Sequence, residues 1–195
     1  MLYRIIRAII VPLANLKLKT IRGLERVPMH GPLLLAINHV SWLDPIFVTA
    51  ALLRKRSEQL LFIAATKKSA WTRAIIPINR NDKERSILDA AAHLRQGHHV
   101  GVFPNGDQRL THPEPKTGIA RIALQAGVPV LPVRLDGVIP AHTWKSIFRF
   151  FTSGRRITVT FGDPMRFSQR DAERAGGVRS ISRMIMDTVN ALSLS

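Results

Sequence analysis

The chain has 195 residues, 46% of them hydrophobic and spread throughout, which suits one domain with a real core and excludes a disordered polybasic tail. It contains no cysteine, so disulfides, thiolate metal sites and a cysteine nucleophile are excluded. Its 29 Lys and Arg outweigh 13 Asp and Glu, and the formal charge of +16 calls for an anionic partner.

Residues 1–16 are mostly apolar, with Arg4 and Arg7 three positions apart and Pro12 as an interruption. Their longest charge-free run, 8–16, is too short to span a hydrocarbon core about 30 Å thick. They also lack the small-residue cleavage site of a secretory signal. The segment reads as an amphipathic helix lying in a membrane interface, its arginines among headgroups, or else as a helix docked on the domain. The expected division is a membrane-associating segment at 1–16 and a folded domain at 17–195.

Residues 16–23 alternate apolar with basic side chains, the pattern of a half-buried strand. After a turn near 29–32, the fully apolar run 33–37 reads as a buried strand. It leads into Asn38-His39-Val40-Ser41-Trp42-Leu43-Asp44-Pro45, which puts a histidine and a carboxylate five residues apart. On an unbroken helix these side chains would point about 140° apart, so they meet only if His39 lies outside it. Ser41 with Asp44 fits a capping box, and Asp44-Pro45 fits an N-cap followed by proline. A carboxylate so placed fixes the tautomer of the imidazole and stabilises it once protonated, the arrangement of a general base. With 7 His and 8 Asp, chance alone yields about 0.3 such pairs, and a plain helix cap explains the spacing equally well.

Further along, 45–53 reads as a helix ending in Arg54-Lys55-Arg56, and 60–65 as a second buried strand. A short basic helix at 67–75 precedes Ile76-Pro77-Ile78-Asn79-Arg80. Helix 83–95 stops at Gly97, and strand 99–103 runs into the turn Pro104-Asn105-Gly106. Helix 117–126, strands 128–135 and 156–161, and a closing helix at 178–192 complete the pattern. Strands alternating with helices predict an α/β domain whose mixed, largely parallel central sheet is flanked by helices.

Taken in order, these blocks resemble the glycerophospholipid acyltransferase superfamily, best known for 1-acylglycerol-3-phosphate acyltransferases, over about 21–164. Asn38–Asp44 looks like the family's His-x4-Asp block, and Ile78-Asn79-Arg80 like its second block. Phe103-Pro104-Asn105-Gly106 is similar to its third, usually Phe-Pro-Glu-Gly. Lys116-x-Gly118 and Val128-Pro129-Val130-Leu131-Pro132-Val133 match later positions. Four blocks in order are far more specific than any one.

The resemblance implies transfer of a fatty acyl group from a thioester of CoA or acyl carrier protein to a hydroxyl of a lysophospholipid. The default acceptor is 1-acylglycerol-3-phosphate. His39 is then the base and Asp44 its orienter, and the acceptor hydroxyl is itself the nucleophile. Arg80 is the expected phosphate clamp, a guanidinium matching phosphate oxygens bidentately, or else a solvated arginine at a charged helix start. Asn105, Gly106, Arg109 and Lys116 complete the expected substrate site. Two of these depart from the pattern: Asn105 replaces the usual glutamate, and Arg109 stands one position beyond the usual arginine. No metal and no cofactor beyond the thioester co-substrate is expected.

The expected location is peripheral, on the cytoplasmic face of an anionic membrane. Nucleic acid is not an expected partner: only 6% of residues are aromatic, and helix-turn-helix, finger and RRM signatures are missing. The rival readings are an acyltransferase for another lysolipid headgroup and a non-catalytic relative that binds membranes.

Overall fold

The computed structural model describes residues 2–64, 75–77, 82–105, 114–138, 143–154 and 156–192. The first half runs α1 (Leu2–Lys17), β1 (Leu18–Arg22), a 3-10 turn (Leu24–Arg26), β2 (Leu34–Ile37), α2 (Asp44–Leu52), β3 (Leu60–Ala64) and β4 (Ile75–Pro77). There follow α3 (Lys83–Arg95), β5 (His99–Val102), α4 (Gly118–Ala126), β6 (Val130–Asp136) and α5 (Trp144–Thr152). The chain ends with β7 (Ile157–Phe161), α6 (Gln169–Arg174) and α7 (Val178–Ala191).

These strands form one sheet in the order β1-β7-β6-β2-β5-β3-β4. Each neighbouring pair is parallel except β6 with β7. The fold is thus the mixed, largely parallel α/β sheet that the alternation of elements predicts. β2 is central, and its lack of alternation has a direct cause: both of its faces are covered. Leu33, Leu35 and Ile37 pack with Phe47, Val48 and Ala51 on the α2 side. Leu34 and Ala36 pack on the other side, with Ala90 and Leu94 of α3, Ile119 and Ala123 of α4, and Ile185 of α7.

Several boundaries differ from expectation. The helix expected at 67–75 lies outside the described residues except for Ile75, which opens β4 opposite Phe62 instead. Helices α5 and α6 occupy stretches with no element expected. α1 continues through Pro12 to Lys17, one residue past the expected segment. It packs through Val11 and the buried Ala14 into the core shared with α2, so one side of it is a docking face.

The end of the sheet opposite the carboxyl ends of β2 and β5 holds a buried polar network. The Arg56 guanidinium donates to both Glu58 oxygens and to the carbonyls of Pro28 and Gly31. His99, wholly buried, accepts the Leu33 N–H at Nδ1 (3.1 Å). Burial, aided by the nearby Arg56 charge, holds its pKa down at about 4 rather than 6.5. The hydrogen bond from Arg56 holds Glu58 at about 2.

The native state therefore binds fewer protons than the unfolded chain between these values, and stability falls as the pH drops. The His99 part is lost from about 6.5 down through about 4, a loss on the order of 3 kcal/mol. Glu58 acts in the same direction lower down, from about 4.5 to about 2. His99→Asn keeps an acceptor for the Leu33 amide but does not titrate. Thermal midpoints measured from pH 7 to 4 are expected to fall less steeply in that variant. An unchanged slope would assign the acid sensitivity to other groups.

Candidate active site

Site geometry starts from Asn38, the residue after β2. Its side-chain amide donates to the Leu135 carbonyl (2.9 Å), and its Oδ1 accepts the Leu135 N–H (2.7 Å). The side chain thus replaces a further ladder rung to β6 and fixes where β2 ends. His39 follows, outside any helix, at the carboxyl edge of the sheet.

The chain leaves β2 towards α2 on one face and leaves the adjacent β5 towards α4 on the other. Where neighbouring parallel strands send their connections to opposite faces, a crevice opens at their carboxyl ends, and open α/β sheets bind ligands there. His39 and Phe103-Pro104-Asn105 stand on either side of that switch point.

His39 Nδ1 lies 2.8 Å from Asp44 Oδ2, a contact open to it because His39 stands outside the helix that Asp44 begins. The same oxygen accepts the backbone N–H groups of Val40 (2.6 Å) and Ser41 (2.8 Å). Three donors on one oxygen of a fully buried carboxylate hold it rigidly. Because the carboxylate can only accept, the proton of neutral His39 sits on Nδ1, and Nε2 is the basic nitrogen. Asp44 Oδ1 is also buried, with no hydrogen-bond partner among the described residues.

Neither expected cap has the observed form. The helix begins at Asp44 itself, with Leu43 as cap and Pro45 in the first turn. Ser41 Oγ accepts from Leu43 rather than Asp44, so only the carboxylate half of a capping box forms. The reason is that Asp44 turns back to meet His39.

Two aromatic rings support His39. Phe103, just after β5, stacks on it at 4.1 Å between centroids with planes 25° apart. Phe62 of β3 stacks behind Phe103 at 5.9 Å. Gly101 makes room for this column: a Cβ there would stand 2.7 Å from two Phe62 ring carbons and 3.3 Å from Ile37. Gly101→Ala should therefore push Phe62 towards Phe103 and disturb His39, at a stability cost of about 1–3 kcal/mol. The expected result is a lower turnover that Phe62→Leu partly restores. A fully active Gly101→Ala enzyme would mean that the stack does not position the imidazole.

Of the expected substrate residues, Arg80, Gly106 and Arg109 lie outside the described residues. Asn105 is half-buried, and its Oδ1 has no hydrogen-bond partner among the described residues. The Lys116 N–H donates to the Pro104 carbonyl (2.9 Å), which closes the β5–α4 connection at its neck. That bond brings Lys116, exposed, back beside Asn105 in space. Asn38, Phe62 and Gly101 had no expected role. Asn38 opens the first motif block and Gly101 stands two residues before the third, which was the available signal for them, whereas Phe62 lies beside no block. Among the described residues, no group of three or more His, Asp and Glu side chains is placed to hold a metal ion.

The acyltransferase family model matches residues 19–136, from the second residue of β1 to the end of β6, and takes in the whole His39–Asp44 site. The chain belongs to the acyltransferase family. A Mycoplasma genitalium protein named as a probable 1-acyl-sn-glycerol-3-phosphate acyltransferase is 26% identical, over 84% of this chain and 69% of its own length. In fold, the chain is similar to the crystal structure of the 1-acyl-sn-glycerophosphate (LPA) acyltransferase PlsC from Thermotoga maritima. The TM-score is 0.62, at 19% identity, over 93% of this chain and 75% of that one. The expected α/β fold, a mixed, largely parallel central sheet flanked by helices, and the expectation of an acyltransferase enzyme both stand.

Proposed function

We propose that the chain transfers a fatty acyl group from acyl-CoA or acyl carrier protein to the free hydroxyl of 1-acylglycerol-3-phosphate, in phospholipid biosynthesis. The observation that carries this reading is the 2.8 Å pair of His39 and a buried Asp44 at the switch point of the sheet. Membership of the family and the names of the two relatives support it.

A secondary alcohol is a poor nucleophile at neutral pH. His39 Nε2 takes its proton as the oxygen attacks the thioester carbonyl, and Asp44 stabilises the imidazolium that results. The tetrahedral intermediate collapses with loss of the C–S bond, and the departing thiolate takes the proton back from His39. No covalent enzyme intermediate is required. Arg80 is assigned to the acceptor phosphate, and the loop carrying Asn105, Gly106, Arg109 and Lys116 to the remaining polar contacts. The division into 1–16 and 17–195, the cytoplasmic face and an anionic membrane surface belong to the same reading. No helix among the described residues is long and apolar enough to cross a membrane.

The test is a panel of lysophospholipids with a labelled acyl donor, offered as the CoA and as the carrier-protein thioester. Transfer to 1-acylglycerol-3-phosphate above the other lysolipids is expected. No transfer to any member from either donor would overturn the reading.

Asn105 gives the panel a second use, because its uncharged side chain leaves an acceptor oxygen without a partner among the described residues. A glycerol hydroxyl can donate to that oxygen as it would to a carboxylate. Asn105→Glu adds a half-buried charge, which is costly without a matched cation, and it is expected to lower the rate on every acceptor. A selective gain on 1-acylglycerol-3-phosphate would instead show that wild type is built for another headgroup.

A further inference from the structure

The two longest stretches of the chain without an acidic residue are 1–24 and 137–162. Residues 1–24 carry Arg4, Arg7, Lys17, Lys19 and Arg22, and residues 137–162 carry Lys145, Arg149, Arg155 and Arg156. The fold sets the two stretches side by side. β1 forms the edge of the sheet and pairs in parallel with β7, Leu18 opposite Ile157 and Arg22 opposite Thr160. Lys17, the last residue of α1, donates to the Ser153 carbonyl and lies 5.6 Å from the centre of the Phe150 ring. The end of α5 is thereby tied to the end of α1.

α5 has an inner and an outer side. Phe150 is fully buried, edge-on to Phe47 of α2 at 5.9 Å. Lys145, Phe148, Arg149 and Thr152 follow the i, i+3, i+4, i+7 spacing of one helix face, and all four are exposed. Phe148 is 72% exposed, and on α1 Leu13 and Leu16 are 48% and 73% exposed. A lone exposed apolar side chain is ordinary. A phenylalanine between two cations, in an acid-free region fastened to a helix with outward leucines, is the pattern of an interfacial anchor.

We propose that α5 is a second membrane-docking element, with Phe148 entering the acyl boundary of an anionic bilayer while Lys145 and Arg149 meet its headgroup phosphates. The proposal rests on the membrane reading given above and extends it to a helix outside the N-terminal segment. Charge selects the occupant. A negatively charged surface complements this region, whereas a second copy of a +16 chain would bring like charge against like.

The experiment is flotation of the full chain with vesicles of phosphatidylcholine alone, or of phosphatidylcholine with phosphatidylglycerol. Phe148→Ser and the double variant Lys145→Glu with Arg149→Glu are compared with wild type. Acyl transfer to 1-acylglycerol-3-phosphate in detergent micelles is measured in parallel. Wild type should bind the anionic vesicles and leave the neutral ones. Phe148→Ser should bind several-fold more weakly, and the double variant at least about 25-fold more weakly, from about fivefold for each cation removed with the two added carboxylates repelled by the surface as well. Both should keep near-wild-type transfer in micelles, since neither change touches the His39 site.

Anionic-vesicle binding equal to wild type in both variants would overturn the proposal for α5 while leaving the proposed reaction standing. Absence of micellar transfer in wild type would overturn that reaction, and a selective loss of vesicle binding would still support α5. If wild type elutes as a dimer that Phe148→Ser splits, with vesicle binding unchanged, the face is a self-association surface and the proposal fails.

Discussion

Replacing His39 by alanine is expected to lower acyl transfer by about 10²–10⁴-fold, the usual contribution of a positioned general base, while leaving the fold in place. The fold survives because the loop does not depend on the imidazole. Asp44 Oδ2 still accepts from Val40 and Ser41, and Asn38 still clamps Leu135 on both sides of its peptide. What disappears is the nitrogen that takes the hydroxyl proton. The deletion also opens a flat slot against the Phe103 ring, 4.1 Å from where the imidazole centre stood. Imidazole added to the variant should therefore restore part of the rate, and more of it at pH values where the free base dominates. Turnover and thermal midpoint are read together. A folded variant with wild-type turnover would remove His39 from the chemistry.

The His39–Asp44 contact was legible because it is local. Five residues, a proline and a needed break in the helix leave few ways for the two side chains to meet. The parts that make the site rigid were not legible, because they are long-range. Asn38 finds Leu135 at a separation of 97 residues, and the Phe62 and Phe103 rings meet only because β3 and β5 are neighbours in the sheet. Strand order behaves in the same way. Apolar runs mark β2 and β3 as buried strands, and β5 and β6 also read as strands, but nothing in them states that β2 lies between β5 and β6.

Short elements were the other failure, for differing reasons. β4 has three residues, too few for a period, and exists because Ile75 and its neighbours pair with β3. α5 is amphipathic, with Lys145, Arg149 and Thr152 on one face, but at nine residues it offers little more than two turns of that period, and its aromatic run Phe148, Phe150, Phe151 also fits a strand. α6 did carry a signal. Ser168 and Asp171 form a full capping box, with Ser168 Oγ and the Asp171 carboxylate each satisfying the other's backbone N–H. Read with the same weight as Ser41 and Asp44, that pair announces a helix start. The comparison shows the ambiguity of the motif: one Ser-x-x-Asp caps a helix outright, and the other yields its carboxylate to a histidine.

Asp44→Asn is the substitution that separates these two uses of the carboxylate. An amide has the same shape, and its oxygen can face the three donors that now converge on Oδ2. In that orientation His39 keeps its proton on Nδ1 and remains aimed through Nε2, so the tautomer is preserved. Two things are lost. The hydrogen bonds become neutral where they were charge-assisted, roughly halving their strength, and no negative charge remains to stabilise the imidazolium. The amide NH2 would also occupy the place of Oδ1, which is buried and has no hydrogen-bond partner among the described residues. A buried donor left without a partner costs about 1–3 kcal/mol. Turnover is therefore expected to fall by about two to three orders of magnitude, less than in an enzyme whose base is left in the wrong tautomer. The thermal midpoint should fall as well, unlike that of His39→Ala. Binding of an unreactive acyl thioester should be unaffected, because Asp44 lies behind the imidazole and is wholly buried. If Asp44→Asn lost stability but kept full turnover, the carboxylate would be only a helix-start device, and the reading of His39 as a base supported by Asp44 would fail with it.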